Sequence, residues 1–169
     1  RMPHVPIPNH VYRNDGALAF TEVGEAWGLG QPGFSTGAAY ADLDGDGGLD
    51  LVVNNINAPA AVYRNRVREL TGRHFLTVRL IGEGANTGGI GARVRVVHGG
   101  AAQVAEQMPT RGFQSSVDHR LHFGLGAVGR VDSLIVQWPD GRVSVRTDVP
   151  ADGPVTVSQA EATARLPAP

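Results

Sequence analysis

The nine residues Asp42-Leu43-Asp44-Gly45-Asp46-Gly47-Gly48-Leu49-Asp50 place four carboxylates at positions one, three, five and nine of one short loop, with glycines where the chain must turn. Like charges held about 5 Å apart repel by roughly 3 kcal/mol per pair at an effective dielectric of about 20. Summed over the loop, that is a large part of a domain's net stability. A fold that contains this loop has to neutralise it. Hard oxygen donors at this spacing, joined by the Gly48 carbonyl at position seven, suit Ca²⁺, which takes about six to eight oxygens. Mg²⁺ fits less well, because it holds its water and demands a strict octahedron.

An EF-hand loop opens with the same Asp spacing, but the residue twelve positions along from Asp42 is Val53 where that motif needs a bidentate Glu. The flanks also differ. Leu51-Val52-Val53-Asn54 reads as a strand, and a Gly-containing apolar run precedes the loop, so neither side is an amphipathic helix.

Strand patterning extends through the chain. Leu76, Val78 and Leu80 alternate with Thr77 and Arg79, while Ala92, Val94 and Val96 alternate with Arg93 and Arg95. Period-two alternation puts one set of side chains into a core and the other into solvent. Further strands are expected at 11–14, 18–23, 35–41, 49–54, 61–66, 103–107, 134–138, 143–147 and 155–158. Gly and Pro number 23 and 11, an excess that favours many turns over long helices. Pro139-Asp140-Gly141 and Asn14-Asp15-Gly16 each predict a hairpin turn. Residues 101–108 could wind two helical turns, but Gly99-Gly100 and Pro109 confine them, and a strand is expected. The tetrapeptide Val11-Tyr12-Arg13-Asn14 returns as Val62-Tyr63-Arg64-Asn65, an offset near the length of one propeller blade.

Composition removes several function classes. A net charge of −1 and a pI near 6.6 supply no field for nucleic acid. The absence of cysteine excludes disulfide scaffolds, thiolate catalysis and Cys-ligated metals. No apolar run reaches the roughly 18 residues of a membrane span. The Gly-rich stretch Asn86 to Val96 lacks the Gly-Lys-Ser/Thr of a phosphate loop and feeds a strand, so it reads as a structural turn. Glu106, Asp118, His119, His122 and Asp132 are the candidate catalytic groups of the second half, and a Ser115–His119–Asp118 arrangement can be imagined. No nucleophile elbow surrounds Ser115 or Ser116, so no enzyme is expected. Arg93 and Glu106 are instead candidates for a cross-strand pair. Trp27, Tyr40, Phe113 and Trp138 are the aromatics that a sugar could stack on, with Trp138 beside a hairpin turn the best placed.

Two resemblances follow from these residues. Asp42-x-Asp44-x-Asp46-Gly47-x-x-Asp50, preceded by Phe34 to Ala41 and followed by Leu51-Val52-Val53 and Val62-Tyr63-Arg64-Asn65, resembles the FG-GAP or VCBS repeat of integrin-like β-propellers. The resemblance implies that Asp42, Asp44, Asp46 and Asp50 supply side-chain ligands to Ca²⁺ and that Gly48 supplies its carbonyl. Residues 86–96, Gln103 to Glu106, Gly112 with its neighbours, Leu121-His122-Phe123-Gly124-Leu125-Gly126 and Val131 to Gly141 resemble, in the same order, the ASPIC/UnbV domain. That domain commonly follows FG-GAP/VCBS repeats in exported proteins, and it brings no established catalytic residues.

The expected architecture is all-β. A partial β-propeller (1–70) carries the calcium loop, a small antiparallel β-sandwich of ASPIC/UnbV type (71–159) follows, and the tail (160–169) is loose. The expected function is a non-enzymatic extracellular or bacterial cell-envelope binding or scaffold module stabilised by structural calcium. Its partners would be protein or glycan at the cell surface, with no nucleic acid and no membrane span. A signal is expected upstream, and exposed strand edges favour self-association. The alternative is a carbohydrate-binding accessory domain of a larger secreted enzyme, reading its ligand through Trp138.

Overall fold

The computed structural model describes residues 5–110, 112 and 114–165. The chain is all-β, with 53% strand and 5% helix in several open sheets. It divides into two compact units that interleave in sequence. One comprises Arg1–Tyr40 with Asp50–Arg64; the other comprises Ala41–Leu49 with Asn65–Pro169. The acidic loop therefore clusters with the second unit.

The first unit holds β1 (Ile7–Pro8), β2 (Tyr12–Gly16), β3 (Ala19–Glu22), β4 (Pro32–Gly33), β5 (Ser35–Ala41), β6 (Asp50–Asn55) and β7 (Ala58–Tyr63). β2 and β3 form the expected hairpin. Its turn is shaped by Asn14, whose Oδ1 accepts the Gly16 amide at 2.9 Å, and by Asp15, which accepts from Arg13 at 2.6 Å and Thr21 at 2.5 Å. β5, β6 and β7 make a three-stranded sheet. The two copies of the repeated tetrapeptide sit differently: the first opens β2 and the second closes β7. Among the described residues, Val23 and Val53 are the buried hydrophobics of this unit, whereas Tyr12, Leu18, Phe20, Trp27, Tyr40, Ile56 and Val62 are all more than half exposed.

The second unit is a two-sheet sandwich. Its elements are the helical turn α1 (Val67–Thr71), then β8 (His74–Ile81), β9 (Arg93–His98), β10 (Ala101–Glu106), β11 (Leu121–Gly126), β12 (Arg130–Gln137), β13 (Arg142–Pro150), β14 (Gly153–Ser158) and β15 (Ala164–Arg165). One sheet runs β10-β9-β12-β13-β15 and the other β11-β8-β14. Pairing is antiparallel except between β14 and β8, which run parallel from Gly153↔Leu76 to Ser158↔Ile81. The core lies between the sheets, where Leu76, Val78, Val94, Val96, Val131, Leu134 and Val136 are fully buried against Phe123, Leu125, Trp138 and Val157. Removing that apolar area from water is the main stabilising contribution.

Residues 101–106 form a strand, and Arg93 and Glu106 are register partners across β9 and β10. The Asp140–Gly141 turn joins β12 to β13. Arg142 ties that turn to its surroundings, donating to Asp140 at 2.6 Å, Glu83 at 2.5 Å and the Gln159 carbonyl at 3.3 Å. Beyond residue 159 the chain stays attached. Ala162 packs against the core and β15 pairs with β13, while 166–169 lie outside the described residues. Two of the expectations also fall outside them, those concerning Phe113 and the last residues of the tail.

Candidate metal centre

Asp42, Asp44 and Asp46 converge within the loop that joins β5 to β6. Each offers a carboxylate oxygen, and these three oxygens lie within 4.8 Å of one another. The loop's own backbone holds them there. Asp42 Oδ1 accepts the Gly45 amide at 2.9 Å and its Oδ2 the Gly47 amide at 3.1 Å; Asp44 Oδ1 accepts the Asp46 amide at 3.2 Å; Asp46 Oδ1 accepts the Gly48 amide at 2.7 Å. A carboxylate has about four lone-pair sites, so each of these groups can still bind a cation. Calcium–oxygen bonds are about 2.3 to 2.6 Å long, which puts two ligands of one ion at most about 5 Å apart. The spacing and the all-oxygen donor set fit Ca²⁺.

Gly48 lies beside the cluster, and a Cβ there would meet the Asn65 carbonyl oxygen at 2.9 Å. Asn65 also donates to the Leu49 carbonyl at 3.2 Å, which fixes the end of the loop, and its Oδ1 accepts the Val67 amide at 3.0 Å, which starts α1. Asp50 is not one of the three clustered carboxylates; it is a buried residue, 3% exposed, at the first position of β6.

The second unit contributes further residues around the loop, of which the sequence marked His122 but not Arg68, Phe75 or Asp152. Arg68, on α1, donates from Nη1 to the Asp46 carbonyl at 2.9 Å, lies 4.9 Å from the Phe75 ring centroid, and faces Asp152 Oδ1 from Nη2 at 3.3 Å. His122 stacks on the same ring, 5.6 Å between centroids with planes 10° apart. Burial lowers the His122 pKa, an effect that the charge of Asp42 opposes. Burial also works to raise the Asp152 pKa, but the His74 hydrogen bond of 2.6 Å, the Phe75 amide and the charge of Arg68 outweigh it, and the carboxyl is held below its ordinary value. Asn65, with its tendency to start helical turns, is the one signal that could have marked this region.

Trp138 is 3% exposed and donates its indole N–H to Ser144 Oγ at 2.9 Å, so it is a core residue with no free ring face for a sugar. The adjacent turn favoured exposure, but the alternation of β12 continues through Trp138 and carries it inward. Asp118 is engaged by Arg120 rather than by His119, and that contact holds its carboxyl below the ordinary value. In the Gly-rich turn, Asn86 Oδ1 accepts the Ile90 amide at 2.8 Å and its Nδ2 donates to the Ile90 carbonyl at 2.9 Å. A Cβ on Gly89 would meet Trp138 at 3.0 Å, which is the packing of a structural corner. A cleft of about 480 Å³ in the first unit is lined by residues such as Phe34, Ser35, Val53, Asn55, Ile56 and Tyr63, with no carboxylate, imidazole or basic side chain among its lining residues. No helix of the described residues is long and apolar enough to cross a membrane.

Comparison with known proteins finds two families along the chain. Residues 8–53 match the FG-GAP-like repeat family, and residues 82–164 match the family described as ASPIC and UnbV. Cartilage acidic protein 1 of Xenopus tropicalis is 30% identical over 127 residues, covering 68% of this chain and 18% of that protein. The Mus musculus protein of the same name is 28% identical over 151 residues, 81% of this chain and 21% of its own length. The Homo sapiens protein is 29% identical over 150 residues, 80% and 21% respectively. The chain thus spans about a fifth of the length of the curated relatives it matches. It carries an FG-GAP-like repeat followed by an ASPIC/UnbV domain, and it is homologous to cartilage acidic protein 1.

Proposed function

We propose that this chain is part of a non-enzymatic extracellular module in which Ca²⁺, bound by the acidic loop, is structural. One observation carries the reading: three carboxylates lie with oxygens within 4.8 Å of one another, each oriented by backbone amides of the same loop. Asp42, Asp44 and Asp46 are the proposed side-chain ligands, and the loop spacing adds the Gly48 carbonyl and Asp50. The ion neutralises charges that would otherwise oppose folding. Its contribution to stability grows with the logarithm of free calcium over the dissociation constant. At the roughly 10⁻⁴ to 10⁻³ M typical of extracellular modules, the loop would be filled outside cells and nearly empty in cytosol. The extracellular setting is supported by the homology to cartilage acidic protein 1, and the proposed partner is a protein at a cell surface or in a matrix.

Calorimetric melting of the chain with millimolar CaCl₂ and with EGTA tests the reading. The parent should melt several degrees higher with calcium, and Asp44→Ala should show no calcium response. Equal melting of the parent in both buffers defeats the proposal.

A further inference from the structure

The acidic loop is seated on the sandwich through contacts that lie outside its own carboxylates. We infer that Phe75 and Arg68 couple the loop to the sandwich, so that an ion bound at Asp42, Asp44 and Asp46 also steadies β8 and β14, strands that offer it no ligand. The inference rests on the calcium reading but is carried by separate contacts.

The first contact is packing. Gly47 has φ +86°, and a Cβ built on it would fall 2.1 Å from Phe75 Cε1 and 2.3 Å from Cδ1, so the loop backbone is seated directly on the ring. Phe75 and Thr77 point to the face of β8 away from the sandwich core, which alternation assigns to solvent, yet they are only 7% and 8% exposed. That face is covered, and at Phe75 the loop is part of the cover.

The second contact is polar. Arg68 donates to the Asp46 carbonyl, while the Asp46 carboxylate accepts the Gly48 amide, so both ends of this loop residue are fixed. The positive charge of Arg68 is compensated by Asp152 at 3.3 Å, which limits its repulsion of a nearby ion. Asp152 sits in the turn that opens β14, and it is tied to β8 three times: its amide donates to the Phe75 carbonyl at 2.8 Å, its Oδ1 accepts the Phe75 amide at 3.4 Å, and its Oδ2 pairs with His74 Nδ1 at 2.6 Å. A continuous path of contacts therefore runs from Asp46 through Arg68 and Asp152 to the β8–β14 pair. Arg68 is a positioning residue on this path, since it touches a ligand residue's backbone and not the ion.

Linkage makes the coupling reciprocal. If an ordered loop favours the seated β8, then a sandwich lacking Arg68 holds calcium more weakly. Hydrogen exchange of the chain with and without millimolar CaCl₂, together with calcium titration by calorimetry, tests this. Calcium should slow exchange in 74–81 and 153–158 as well as in 41–50. In Arg68→Met, which keeps an apolar chain over the ring, protection should shrink to 41–50 and the calcium Kd should rise about fivefold to tenfold, the loss of one charge-assisted hydrogen bond. Phe75→Leu, which keeps an apolar side chain under the loop, should have the same effect by the packing route. Calcium binding with protection confined to 41–50 in the parent overturns the coupling and leaves the calcium site standing. An unchanged Kd in both variants overturns it as well. No calcium binding by the parent overturns both.

Discussion

Gly47 lies so close to Phe75 that a single methyl group between them would overlap the ring, with 2.1 Å from the ideal Cβ position on the glycine to Cε1. The glycine is required twice at this point, for the contact and for its φ of +86°. Gly47→Ala should destabilise the chain by about 2 to 4 kcal/mol, combining left-handed strain with overpacking. Urea unfolding checks this, and the loss should persist in EGTA, because it arises from the contact and not from the ion.

Trp138 and Ser144 form a buried hydrogen bond inside the sandwich, 2.9 Å from Nε1 to Oγ. Ser144→Ala leaves the indole N–H without that partner and should cost about 1 to 3 kcal/mol. Trp138→Phe, which removes the donor and the need for an acceptor together, should leave the Ser144 hydroxyl as the orphan and cost a similar amount. Thermal melts of the two single variants and the double variant would show non-additivity of their effects.

Leu134 is fully buried at the centre of β12. Leu134→Ala should cost about 2 to 5 kcal/mol, the lost transfer energy plus the cavity left behind. Val62→Ala, at a position 64% exposed in the first unit, should change stability by less than about 0.5 kcal/mol. Denaturant midpoints of the two variants, measured side by side, check the contrast.

Acid should weaken the fold in two windows. Burial lowers the folded pKa of His122 from 6.5, so between that value and its lower folded value the unfolded chain binds more protons. The contribution is intact above pH 6.5 and is lost as pH falls through the folded value. Asp152 behaves likewise lower down: its folded pKa is held under 3.8, so its contribution is present above 3.8 and lost as pH drops through the folded value. Urea midpoints between pH 7.5 and 5 should fall for the parent and less steeply for His122→Phe, which keeps the ring stack on Phe75.

Period-two alternation made most of the sandwich legible in the sequence, because Leu76, Val78, Leu80, Val94 and Val96 really do share one core. Asn14-Asp15-Gly16 and Asp140-Gly141 announced their hairpins through turn chemistry that is local to the residues involved. β11 was not expected as a strand on alternation alone, since Gly124 and Gly126 dilute its pattern, with Phe123 and Leu125 as its fully inward residues. α1 was missed because a five-residue turn is too short to show a helical period. The three clustered aspartates were legible from spacing, because their partners are amides of the same loop. Arg68, Phe75 and Asp152 were not, since their meeting depends on how distant segments pack, with Asp152 reaching residues 74 and 75 across more than 70 residues of sequence.

The parallel pairing of β14 with β8 also bears on how this protein is made. β8 is the middle strand of its sheet, and its partner on one side is encoded more than 70 residues later. A ribosome that has delivered everything through β13 has still not supplied that partner, so one edge of a strongly apolar strand waits uncovered until residues 153–158 are made. Contacts of such long sequence separation form slowly. Sandwich assembly during synthesis is therefore a late event, and the nascent chain is most prone to wrong pairing just before residues 153–158 emerge from the exit tunnel.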